Sequence, residues 1–158
     1  MNIRRKTTGA ALLAGALAAT GLALAPTAVA VTPDTASITA NCGSFGGGAA
    51  TLTATQNGTA ATITLTASAI TTPLALSADS ITSTLTLVNA AGGTRTFTGT
   101  KNPAMAAGSP VTVGPVGGTV ASGDSLEAYG GTLKMVVFGI TITCTATAPQ
   151  SPGPFVFD

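Results

Sequence analysis

Six segments of this chain alternate apolar and polar residues with a period of two, and that pattern restricts the fold more than any other feature. Such alternation belongs to strands with one face in a core and one in water. The segments are Ala36 to Cys42, Thr51 to Thr55, Thr62 to Ala67, Ile81 to Val88, Thr94 to Thr98 and Leu133 to Thr147. Within them Ile38, Ala40, Cys42, Leu52, Ala54, Ile63, Leu65, Leu85, Leu87 and Phe97 take the inward parity. Threonine fills most of the outward positions. Thr, Val and Ile favour strands, and the long straight side chains that favour helices are scarce, so the chain reads as all-β.

The turns between segments agree. Asn57-Gly58 suits the positive φ angles of a type I′ hairpin between the second and third segments, and residues 89–93 suit a hairpin between the fourth and fifth. From Gly99 to Gly131 the pattern weakens around Pro103, Pro110 and Pro115, leaving short edge strands near Val111 to Val116 and Leu126 to Tyr129. The last segment changes phase: Leu133, Met135 and Val137 share one parity and Ile140, Ile142 and Cys144 the other. A β-bulge or a sheet-switching bend near Phe138-Gly139 would restore one inward face.

Residues 1–30 read as a signal peptide. Arg4-Arg5-Lys6 is the cationic start, Ala10 to Ala25 the apolar run, and Ala28-Val29-Ala30 the small-residue site, with cleavage after Ala30. Lys6-Thr7-Thr8 after the arginine pair favours the general secretory route over twin-arginine export. The expected localisation is therefore secreted, either extracellular or in the cell envelope. Residues 31–148 then form one domain and residues 149–158 a Pro-rich C-terminal tail. Three basic residues face five acidic ones from residue 31 onward, a net charge near −2. Such a balance does not favour nucleic acid or an anionic surface. No apolar stretch after the signal is long enough for a transmembrane anchor, and five Phe, one Tyr and no Trp are too few for the aromatic girdles of a membrane barrel.

Cys42 and Cys144 are the only cysteines and both take the inward parity of their segments. In an exported domain they read as a disulfide joining the first strand to the last. A redox or metal-binding pair would have Cys-x-x-Cys spacing or a His partner, and the chain has no His.

Asn41-Cys42-Gly43, the stretch Gly139 to Cys144, the Ala/Thr/Gly-rich composition and the signal together resemble the secreted immunoglobulin-like β-sandwich domains of actinobacteria that have no assigned function. That resemblance implies an antiparallel β-sandwich, immunoglobulin-like and of about seven to nine strands, closed by a disulfide between an early and a late strand. The core Trp of antibody-type domains is missing here. It assigns no functional residues.

Without His, triads that depend on it are excluded. The enzyme alternative would use Asp124, Glu127 and Lys134, with Tyr129 nearby, although Asp124 also suits a turn. Asp79 and Asp124 lack the further carboxylates a calcium site needs, so no metal and no cofactor is expected. Arg95 shares the parity of Phe97 at a hairpin end, and either a carboxylate or a ligand could take it. Asn57-Gly58-Thr59 matches a glycosylation sequon, which turn chemistry already explains. Thr51, Thr53 and Thr55, Thr62, Thr64 and Thr66, Thr82, Thr84 and Thr86, Thr94, Thr96 and Thr98, and Thr141, Thr143 and Thr145 form an outward array resembling an ice-binding surface. Threonine pairing on exposed strands explains the same array. The reading carried forward is a non-enzymatic structural or binding module of the envelope, with a polysaccharide or a protein as partner.

Overall fold

The computed structural model describes residues 31–158. The expected signal peptide, residues 1–30, lies outside the described residues. Nine strands follow in order: β1 (Thr35–Asn41), β2 (Gly47–Asn57), β3 (Ala60–Thr71), β4 (Thr82–Asn89), β5 (Thr94–Thr100), β6 (Pro110–Thr119), β7 (Ser125–Val137), β8 (Ile140–Ala146) and β9 (Phe155–Val156). All pairings are antiparallel.

The sheet order β4-β5-β6-β3-β2-β1-β8-β7 closes on itself because β7 also pairs with β4, and β9 hangs on β7. The result is an eight-stranded β-barrel, which corrects the expected sandwich. Two seams turn the corners between facing walls. β5 meets β6 through Thr98↔Gly117, and β1 meets β8 through Ala40↔Ala146 and Asn41↔Thr145. Alternation gives each strand an inner face in a barrel and in a sandwich alike, so it could not distinguish them. Nor does the strand order follow the ABED and CFG sheets of an immunoglobulin domain. It contains Greek keys instead: β4, β5 and β6 form a meander, and β7 returns to lie beside β4.

Every inward residue named from the first five segments is buried, with Leu52, Ile63, Leu87 and Phe97 fully so. The two hairpins form where expected. In the first, however, Asn57 pairs with Ala60 and the turn is Gly58-Thr59, with glycine first at φ 60°, the position a type II′ turn reserves for it. The last segment needs a larger correction. Phe138-Gly139 is a two-residue turn that separates β7 from β8, with Val137 opposite Ile140, and not a bulge within one strand. The bulge lies earlier. Between Thr86 and Val88 of β4 the register of β7 jumps from Thr132 to Glu127, looping out residues 128–131. Gly131 approaches the Thr86 carbonyl so closely that a Cβ would overlap it.

Strand directions place the turns at residues 42–46, 72–81, 101–109 and 138–139 at one end of the barrel and those at 58–59, 90–93 and 120–124 at the other. The second end is plugged. β9 pairs with Ser125 and Leu126, and Phe155 and Phe157 are fully buried beside Leu126 in the core. The tail is therefore docked. Ser151 exchanges two backbone hydrogen bonds with Ser37, of 2.7 and 2.9 Å, and Gln56 accepts from the Asp158 amide while donating to its carbonyl.

Candidate functional site

The opposite end is open, and its character follows from small residues. The rows Ile38–Ala50–Ala67–Val111 and Ala36–Leu52–Leu65–Val113 run across β1, β2, β3 and β6. In the row nearer the open end, Ala50 and Ala67 stand where larger side chains would meet the far wall. They leave a cavity of about 300 Å³ inside the barrel. Leu52 and Leu65 form its floor side, Leu85, Leu133, Met135 and Ile142 the facing wall. That volume is about twice the ~150 Å³ of a dry engineered cavity that holds benzene, and at the lower end of ordinary ligand pockets.

The lining is apolar apart from a few threonines, and contains no charged side chain. Thr72 is itself occupied, its hydroxyl donating to the Leu74 carbonyl. The disulfide lines the same space: Cys42 and Cys144 are bonded, both are buried, and their Cα atoms are 4.0 Å apart. Around the opening the lining residues reach solvent. Phe45, Leu74, Phe138 and Ile140 are 48, 61, 69 and 54% exposed. Ile140 and Ile142 do share the inward parity of Cys144, and they are exposed to different degrees because they face the mouth.

The loops that carry the rim are held. Asn102, buried, accepts from the amides of Ser80 and Ile81 at 2.8 Å and donates to the carbonyls of Ser77 and Pro103 at 2.8 Å. All four hydrogen-bonding positions of its amide are used. Leu76 and Met105 exchange backbone hydrogen bonds beside it, fixing residues 72–81 against residues 101–109.

The residues proposed for chemistry lie elsewhere and apart. Asp124, at the plugged end, takes a two-pronged ion pair from Arg95, Nε to Oδ2 at 2.6 Å and Nη2 to Oδ1 at 3.2 Å, and also accepts from the Ala121 amide. The Arg95 hydrogen bond holds the Asp124 carboxyl below its ordinary value, and the same bond raises Arg95. Arg95 thus has a carboxylate. Glu127 Oε1 accepts from the amides of Ala128, Tyr129 and Gln150, clamping the tail to β7. Lys134 is exposed on the outer wall, opposite Thr84 and Thr143. It stands opposite Thr84 of β4 whereas Asp124 lies beyond the Leu126↔Asn89 pair, on the order of 20 Å along the barrel even with the β7 bulge taken out. These three do not converge. Asp79 pairs with Lys101 at 3.1 Å, and no group of three potential metal ligands occurs among the described residues.

The threonine array is divided between walls. Thr51↔Thr66, Thr53↔Thr64 and Thr55↔Thr62 pair on β2 and β3, while Thr82↔Thr100, Thr84↔Thr98 and Thr86↔Thr96 pair on β4 and β5 across the barrel. Several touch, with Thr55 and Thr62 hydroxyls at 2.7 Å and those of Thr82 and Thr100 at 3.0 Å. This is the cross-strand pairing expected of an exposed strand face.

Sequence reading missed the cavity and its rim. Two signals were available: alanines at successive inward positions, which underfill a barrel, and aromatic residues in loops. No protein-family model, no curated protein and no solved structure matches this chain.

Proposed function

We propose that this protein is an exported, non-enzymatic binding module that takes a small, uncharged, apolar molecule into the open end of its barrel. The observation that carries this reading is the cavity of about 300 Å³ with an apolar lining and a solvent-facing mouth. Eight strands are the number at which a barrel interior either fills with side chains or holds one small ligand. Here the lower half is filled by Phe97, Phe155 and Phe157 and the upper half is not. A charged ligand would lose its hydration with no partner inside, and a polysaccharide would find few hydroxyl partners. A ligand on the order of twelve heavy atoms fits, taking two benzene-sized volumes as the measure.

The disulfide between inward cysteines and the outward threonine faces suit an exported, water-facing protein. Titration with the uncharged fluorophore 1-naphthylamine, small enough for a cavity of this volume, tests the binding role. Saturable, one-site enhancement is expected, with affinity at least tenfold weaker in Ala67→Phe, whose ring occupies the cavity. A melting temperature in Ala67→Phe no lower than that of the parent shows that the barrel remains folded. No saturable signal, or equal affinity in Ala67→Phe, overturns the reading.

A further inference from the structure

We infer that the rim of the barrel is a membrane-docking surface, on which the molecule seats its open end against a lipid bilayer so that apolar molecules pass between bilayer and cavity without crossing water. The inference rests on the preceding reading for the identity of the mouth; the surface itself is argued from three separate observations.

The first is where apolar side chains are exposed. Large hydrophobic residues exposed among the described residues are Phe45, Leu74, Tyr129, Val136, Phe138, Ile140 and Val156, and five of these seven sit at the open end. Phe45, Leu74 and Phe138 come from three different turns, so no single strand's alternation explains their grouping. All three line the opening of the cavity. A patch of this kind on an otherwise threonine-covered surface marks an interaction site.

The second is strain. Phe138 has φ 50° and Gly139 φ 77°, both in the left-handed region. A two-residue turn of this type calls for Asn or Asp followed by Gly, and a bulky residue at its first position is an outlier. The side chain held there is also the most exposed of the seven, at 69%. Neither local backbone preference nor burial accounts for phenylalanine at the tip, whereas insertion into a bilayer would.

The third is charge. Asp34, Asp124, Glu127 and Asp158 lie toward the plugged end, where Arg95 is the one described cation. Toward the mouth, Lys101 and Lys134 stand against Asp79 alone. The molecule is thus negative at the end away from the rim and neutral to slightly positive at the rim. Among described residues the unpaired carboxylates are kept from the face that would meet lipid headgroups. That polarity orients the barrel mouth-first on an anionic bilayer and does not oppose seating on a neutral one.

Flotation of the protein with vesicles of phosphatidylcholine alone, and with phosphatidylglycerol added, tests the inference. The parent protein is expected to float with both, more strongly with the anionic mixture. Phe138→Asn combined with Leu74→Ser is expected to reduce the bound fraction at least tenfold; asparagine is native to that turn position, so the variant should fold. The double variant should keep the parent's far-ultraviolet spectrum and melting temperature, whereas Ala67→Phe should lose 1-naphthylamine from the cavity and still float. Phe138→Trp should shift its emission to the blue on vesicles. Failure of the parent to float, or equal flotation of the double variant, overturns the docking surface and leaves the cavity reading standing. Concentration-dependent self-association that disappears in the double variant, with no flotation, overturns it in favour of a second copy on the rim.

Discussion

Cys42 stands opposite Cys144 one step beyond the last paired residues of the β1–β8 seam, so the disulfide continues in covalent form a ladder that hydrogen bonds have just left. The bond joins the two walls at the mouth of the cavity, where the ring has one of its shortest pairings. It also closes a loop with a sequence separation of 102 residues. In the chain-entropy account a loop of that size corresponds to about 4.7 kcal/mol, and removal of a native disulfide from a small exported domain costs about 2–5 kcal/mol. Replacing both cysteines by alanine is expected to lower unfolding free energy within that range in urea titrations. Intact mass before and after reduction and alkylation should show no free thiol in the parent.

Asp124 supplies a pH dependence. Its folded-state pKa is depressed, first by the Arg95 hydrogen bond. The carboxylate therefore contributes stability that is complete above its unfolded value of 3.8 and is lost as pH falls through the lower folded value. Asp124→Asn should be less stable than the parent at pH 7, and the difference should shrink below about pH 4. Thermal melts of both proteins from pH 7 down to pH 2 measure it.

Ser83 is fully buried on the inward face of β4, and its hydroxyl has no hydrogen-bond partner. Ser83→Ala removes a polar atom that lost water on folding and gained nothing. Stability should be unchanged or higher by up to about 1 kcal/mol, read from the urea midpoint. A loss above that would mean the hydroxyl has a partner.

Phe157 is one of three fully buried phenylalanines, and its truncation is expected to be among the costliest. It is fully buried at the plugged end, its amide donates to the Asp124 carbonyl at 2.9 Å, and its carbonyl accepts from Gly123 at 2.7 Å. Phe157→Ala should cost about 3–5 kcal/mol, the range for deleting a buried aromatic ring. Denaturation together with proteolysis of the tail after Thr147 tests whether the plug loosens first.

The strand class and the inner faces were legible because burial on one face of a strand imposes a period of two, and residues such as Leu52, Ile63, Leu87 and Phe97 obey it without exception. The cysteine pair was legible for the same reason. Closure was not, since Thr98 and Gly117, or Ala40 and Ala146, carry no mark of being corner partners. The β7–β8 turn is hidden by its own composition: a phenylalanine at its first position does not resemble a turn, and the phase change it produces reads equally as a bulge or a bend within one strand. The tail was opaque because its prolines argue against a strand while Phe155 and Phe157 find a hole that only the assembled barrel creates. Asp124, Glu127 and Lys134 are near in sequence, but a strand separates them with every residue and each has its own neighbours.

The plug has a consequence for synthesis. Phe155 and Phe157 are the last core residues to leave the ribosome, and β1 gains its neighbour β8 only after everything between has been made. The ring cannot close on a growing chain until β8 and the segment behind it have been made. Pairings between such distant strands belong to the slow class of folding events, so the sheet stays open for a time after all its strands exist.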